Sequence, residues 1–108
     1  VRETDITGGT RTGAMGTFLY AAPEVMSRPQ DADVRADVYG LGMTAVFCLR
    51  GAELPQIMVR DPERVLAALP CGEAVRGVLR RAIGWEREER FADAKAFAEA
   101  LTFAARRV

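Results

Sequence analysis

Asp33 to Gly51 reads DVRADVYGLGMTAVFCLRG, and this stretch decides the fold class. Asp33 has the short acidic side chain that caps a helix N-terminus, and glycine, here Gly51, is the residue that most readily ends a helix. Between them Val38, Leu41, Ala45, Val46 and Leu49 fall at helical spacing on one face. Met43, Phe47 and Cys48 make the other side apolar too. A helix that is apolar all round belongs inside a core. The pattern predicts a buried helix over 34–50, surrounded by more protein than so short a chain supplies.

The flanks extend the helical reading. Residues 52–58 form a connector. Asp61-Pro62 opens a short helix through Val65, Leu66 and Leu69, which Pro70 ends. Val75, Val78, Leu79 and Ala82 give the stripe of a helix from Glu73 to Ile83, with Gly84 as its stop. Trp85 to Phe91, WEREERF, reads as a charged loop. Asp93 caps a last helix over 94–107 whose inner face is marked by Phe97, Leu101 and Ala105. Upstream, Ala22 to Met26 fits one helical turn with Pro23 in its first position. Residues 1–16, with four threonines and four glycines, read as a mobile leader. No repeat and no strand pattern emerges. The expected fold is all-α: four helices and a short turn.

Composition narrows the function. Lys+Arg and Asp+Glu both count 15, so the net charge is zero. A nucleic-acid or anionic-membrane module working by bulk charge is disfavoured. Fourteen of the basic residues are arginine, and Lys95 is the one lysine. With no histidine, Ser-His-Asp triads and histidine-ligated zinc are excluded within the chain. Cys48 and Cys71 lack metal-site spacing and are expected to be reduced and structural. No apolar run reaches the ~18 residues of a membrane span, and nothing with the layout of a signal peptide opens the chain. A cytoplasmic location is expected. The first residue is Val1 rather than Met, which suggests a piece of something longer.

Gly16-Thr17-Phe18-Leu19-Tyr20-Ala21-Ala22-Pro23-Glu24 resembles the GTxxYxAPE motif that ends the activation segment of eukaryotic-type Ser/Thr protein kinases. After twelve intervening residues, Asp37-Val38-Tyr39-Gly40-Leu41-Gly42 is similar to the family's DVxSxG signature. Arg90-Phe91-Ala92-Asp93-Ala94 resembles the segment carrying the arginine before the final helix. The three run in the family's order over residues 10–102, in the style of its bacterial (Hanks-type) members.

The resemblance implies a partial kinase domain over 1–108, with an activation segment at 1–24 and a helical C-lobe at 25–108. It implies a buried ion pair between Glu24 and Arg90. It places Thr17 and Tyr20 on the substrate-binding side and makes Thr10 and Thr12 regulatory phosphorylation positions. Asp37 would accept backbone N–H bonds from the catalytic loop, and the helix near Val65 to Leu69 would dock substrates or partners. Three positions depart from the family pattern. Phe18 replaces the usual proline, Gly40 the usual serine, and Glu86-Arg87 the usual Asp-Pro.

The catalytic parts of the family are absent from these 108 residues. There is no Gly-rich loop, HRD or DFG, and Lys95 falls in the last helix rather than on a strand. No catalytic residue and no metal ligand is therefore assigned here. ATP and magnesium are implied for the parent kinase and not for the fragment, whose partners would be a protein substrate and the missing N-terminal lobe. Alone, the chain is expected to be inactive and marginally stable or molten. Two other readings stay open. One is a non-catalytic pseudokinase remnant or scaffold. The other is an unrelated helix-turn-helix binder using Arg76, Arg80, Arg81 and Arg87, which zero net charge disfavours.

Overall fold

The computed structural model describes residues 20–106. In chain order it contains α1 (Pro23–Ser27), a 3-10 turn (Pro29–Asp31), α2 (Val34–Arg50), α3 (Ile57–Arg60), α4 (Pro62–Ala67), α5 (Glu73–Ala82), a second 3-10 turn (Arg87–Glu89) and α6 (Ala94–Arg106). No strand occurs among the described residues.

α2 is the central element, and its ends follow from two residues. Asp33 Oδ1 accepts the Arg35 N–H at 2.8 Å, satisfying a donor that the helix leaves unpaired. Gly51 adopts φ 75° and returns its N–H to the Phe47 carbonyl at 2.9 Å. Val38, Tyr39, Gly42, Met43 and Val46 form the buried face. Against it lie α5, through Leu79 and Ala82, and α6, through Phe97. Gly42 sets the approach to α5. A Cβ there would stand 2.9 Å from both Ala82 Cβ and Ile83 Cγ2.

α3 and α4 cap one end of this layer through Met58, Val65, Leu66 and Leu69. Arg76 of α5 ties the turn between α4 and α5 to the core. Its Nε donates to Leu66 O at 2.8 Å, and its NH2 donates to Leu69 O at 3.1 Å and Cys71 O at 2.9 Å. α6 is capped at its start, where the Ala96 N–H reaches Asp93 Oδ1 at 2.8 Å. Lys95 is exposed in the first turn of that helix.

Several sequence expectations need correction. α2 is not buried all round: Leu41 is 44% exposed, Phe47 38%, and Cys48 is exposed. Within the described residues only one side of α2 has a cover, because α5 and α6 both pack on the Val38–Met43–Val46 face. Cys48 is thus a surface thiol, not a core one. On α6 the inner face runs through Phe97, Ala100, Leu101 and Ala104, while Ala105 is exposed. The 3.6-residue period brings position 104 under 97 and 100, and carries 105 past the contact. The stretch read as a connector holds the start of α3, and the charged loop holds a 3-10 turn. Arg80 pairs with Glu63 and Glu73, and Arg81 lies over the Phe91 ring at 4.3 Å.

Candidate functional site

Arg90 is the one charged residue buried among the described residues, at 3% exposure. An arginine side chain has five N–H donors in a fixed fork, and here all five are used. NH1 donates to Glu24 Oε2 at 2.8 Å and to Arg35 O at 3.0 Å. NH2 donates to Glu24 Oε1 at 2.8 Å and to Trp85 O at 3.1 Å. Nε donates to Gly84 O at 2.8 Å. The guanidinium also lies over the Tyr39 ring, 5.0 Å from its centroid.

These contacts explain how a full charge is held without water. Every donor has an acceptor, and one acceptor is a carboxylate of opposite charge. The bond from Arg90 holds the Glu24 carboxyl below its usual range, against the opposing effect of burial. Burial raises the Tyr39 hydroxyl above its usual value, so the ring faces Arg90 as a neutral phenol. Arg90 thereby fastens together α1, the first turn of α2 and the segment after α5. Glu24 sits in the first turn of α1, where Pro23 in the leading position fixes the backbone.

A groove of about 580 Å³ opens beside α2. Tyr20, Ala22, Asp37, Gly40, Leu41 and Thr44 line it, with Ala94 at one edge. Asp37 stands exposed on its wall, in the first turn of α2. The Thr44 hydroxyl is turned inward to its own helix, donating to Gly40 O at 2.9 Å. Tyr20 is half-buried and meets the Phe47 ring edge-on, with centroids 6.5 Å apart. Gly40 lets this segment come close: a Cβ there would lie 3.3 Å from Tyr20 O. The serine usual at this position would crowd that carbonyl.

The structure therefore brings Glu24 and Arg90 into contact and sets Asp37 and Tyr20 on one groove. Thr10, Thr12 and Thr17 lie outside the described residues. Sequence reading gave Arg76 no part in the fold, although its fork satisfies three carbonyls. The signal was an arginine inside an otherwise apolar stripe, between Val75 and Val78. Among the described residues no three His, Cys, Asp or Glu side chains gather closely enough to share a metal ion. The one lysine is on the outside of α6.

Comparison with known proteins fits this geometry. Over an alignment of 106 residues the chain is 31% identical to the tyrosine-protein kinase MasK of Myxococcus xanthus. That alignment takes in 85% of this chain and 16% of MasK. Two crystal structures of the Mycobacterium tuberculosis PknI kinase domain superpose with a TM-score of 0.56 at 32% identity. They cover 80% of this chain, which in turn spans 33% of one crystallised chain and 34% of the other.

The chain is a homologue of the bacterial Hanks-type protein kinases.

Its helices match the helical lower lobe of that kinase domain, and it spans only a minor part of each of these relatives. No protein-family profile matches the chain. No helix of the described kinase lobe is long and apolar enough to cross a membrane.

Proposed function

We propose that this chain is the substrate-side part of a cytoplasmic Ser/Thr protein kinase, which moves the ATP γ-phosphate to a protein hydroxyl. The observation that carries the reading is the five-bonded Arg90 and its pair with Glu24. It fixes Glu24, and with it the start of α1, to the helical lobe at a defined place. Positioning is most of what a phosphoryl-transfer enzyme supplies.

In this reading Thr17 and Tyr20 face the incoming peptide, and phosphate on Thr10 or Thr12 orders the segment by pairing with arginines. Asp37, exposed on the groove wall, accepts N–H bonds from the catalytic loop. ATP and magnesium are held by residues outside these 108. The chain alone transfers no phosphate, because it carries none of the family's Gly-rich loop, HRD or DFG motifs. The open side of α2 supports the same reading, since Leu41 and Phe47 present apolar surface that a larger domain would cover.

The experiment has two arms. The 108-residue chain is incubated with labelled ATP and a mixed protein substrate; no incorporation is expected, and any incorporation overturns the division of labour. The product of the whole reading frame is then assayed, and its labelled substrate hydrolysed to amino acids. Phosphoserine or phosphothreonine is expected. Phosphotyrosine, the acceptor that MasK's name suggests, would overturn the acceptor assignment. A whole product that binds no ATP would leave the scaffold reading in its place.

A further inference from the structure

Arg87 is three residues before Arg90, at the start of the 3-10 turn Arg87–Glu89. Arg87 O accepts the Arg90 N–H at 3.1 Å, so the two arginines share one turn. Arg87 NH1 lies 3.5 Å from Asp33 Oδ2, and its Nε lies 3.7 Å from Glu88 Oε2. Asp33 is the cap of α2. It also binds the Arg35 side chain, with NH2 at 2.8 Å from Oδ2 and Nε at 3.4 Å from Oδ1. The carbonyl of that same Arg35 is one of the five acceptors around Arg90.

One carboxylate thus reaches Arg90's surroundings from two sides. Through Arg35 it orders the first turn of α2, whose carbonyl forms part of the Arg90 socket. Through Arg87 it holds the turn that presents Arg90. The Arg35 side chain and backbone N–H hold the Asp33 carboxyl well below its usual range, down to about 2. Residues 86 and 87 are also where this chain departs from the family's usual Asp-Pro. Proline there would stiffen the backbone but would offer no charge to α2.

We propose that Asp33 and Arg87 form a second clamp, parallel to Glu24–Arg90, and that Arg87 is a positioning residue which keeps the Arg90 turn closed onto α2. The clamp is an electrostatic replacement for a backbone constraint at this bend. It rests on the geometry of the lobe and does not depend on whether the parent protein transfers phosphate.

Both partners are about one-third exposed, so the effect on global stability is small. Local opening is the sensitive measure. The test is hydrogen–deuterium exchange of the full chain, read on peptides covering residues 84–92. Variants are Arg87→Gln, Asp33→Asn, the two combined, and Arg87→Lys. Asparagine keeps the helix cap, so Asp33→Asn isolates the charge.

The Glu89 and Arg90 amides, which bond back to Glu86 and Arg87, are expected to exchange about threefold faster in either single variant. The double variant should be no faster than Asp33→Asn, which also loses the Arg35 charge pair, and Arg87→Lys should restore most of the protection. Salt at 0.5 M, an order of magnitude chosen to shrink the screening length to a few ångströms, should speed the wild type and leave Arg87→Gln unchanged. Two results would overturn the clamp. One is unchanged exchange in Arg87→Gln while Glu24→Gln does open the same peptide. The other is a double variant whose effect is the product of the two singles, which would mean that Asp33 and Arg87 act separately. Failure of the kinase assays would alter none of these readings.

Discussion

Arg90 and Glu24 are 66 positions apart and meet through two N–H···O bonds of 2.8 Å, with the arginine side chain fully buried and the glutamate 16% exposed. The pair joins a five-residue helix, too short to persist alone, to a turn near the far end of the chain. α1 has no fully buried residue of its own; beside this contact, partly buried Val25 packs it against the core.

Removing one partner leaves the other charge stranded. Arg90→Ala should lower unfolding free energy by about 3–5 kcal/mol, as for other buried pairs. Arg90→Lys should recover little, because a single ammonium cannot span the five acceptors of the fork. Urea denaturation of the three proteins checks this. A loss below about 1 kcal/mol for Arg90→Ala would mark the pair as an ordinary surface contact.

The pH dependence has a definite sign. Glu24 has a lowered pKa in the folded state, so the unfolded chain takes up its proton first as pH falls. The pair's contribution is complete above the unfolded value of roughly 4.3 and drains away as pH drops through the lower folded value. Arginine stays charged, so there is no matching loss on the alkaline side. Thermal melts from about pH 6 to 3 should show Glu24→Gln losing less stability than the wild type over the lower part of that range. Parallel curves for the two proteins would refute the assignment.

Gly42 and Gly77 predict opposite signs for the same substitution. At Gly42 a Cβ meets Ala82 and Ile83 at 2.9 Å, and pushing the two helices apart should cost about 1–3 kcal/mol. At Gly77 in α5 the nearest atom is the far end of Arg80, at 3.9 Å. There Gly→Ala should add up to about 1 kcal/mol from helix propensity. Calorimetric melting temperatures of the two variants should move in opposite directions.

Arg76→Ala removes three charged hydrogen bonds to the α4–α5 turn, each shared with a partly buried carbonyl. The expected loss is about 1.5–3 kcal/mol, the scale of one well-formed charged bond once water has replaced the others. The α5 end should remain helical by circular dichroism while the turn gains protease sensitivity.

α2 offers a contrast between its two sides. Met43→Ala opens a cavity under a fully covered side chain and should cost about 2–5 kcal/mol. Leu41→Ser, at a site 44% exposed, should stay within about 0.5 kcal/mol in this chain. In the product of the whole reading frame Leu41→Ser should be the more damaging of the two contexts, if a larger domain covers that side.

Much of this fold was legible because its signals are local. Asp33 and Gly51 bracket α2 by chemistry that acts within one turn, and Pro23, Pro62 and Asp93 do the same for their helices. What could not be read was which apolar side of a helix finds a cover. Leu41 and Val38 look equivalent in sequence, yet only Val38 meets α5 and α6. Ala104 and Ala105 differ by one position, about 100° around the helix, and only Ala104 is buried. The partnership of Glu24 and Arg90 came only through family resemblance, since no period or spacing links residues so far apart. The pairing of Arg87 with Asp33 escaped altogether, because Asp33 read only as a helix cap and Arg87 as one charge in a charged loop.

The 66-residue reach of the Arg90 contact also has a consequence for biosynthesis. A ribosome adding about 5–20 residues per second needs roughly 3–13 s to pass from one partner to the other. Glu24 and the whole of α2 emerge first and wait, carboxylate and apolar side chains alike, for α5 and then for Arg90. The anchor closes late, so a nascent chain stalled before Arg90 carries an unfastened α1.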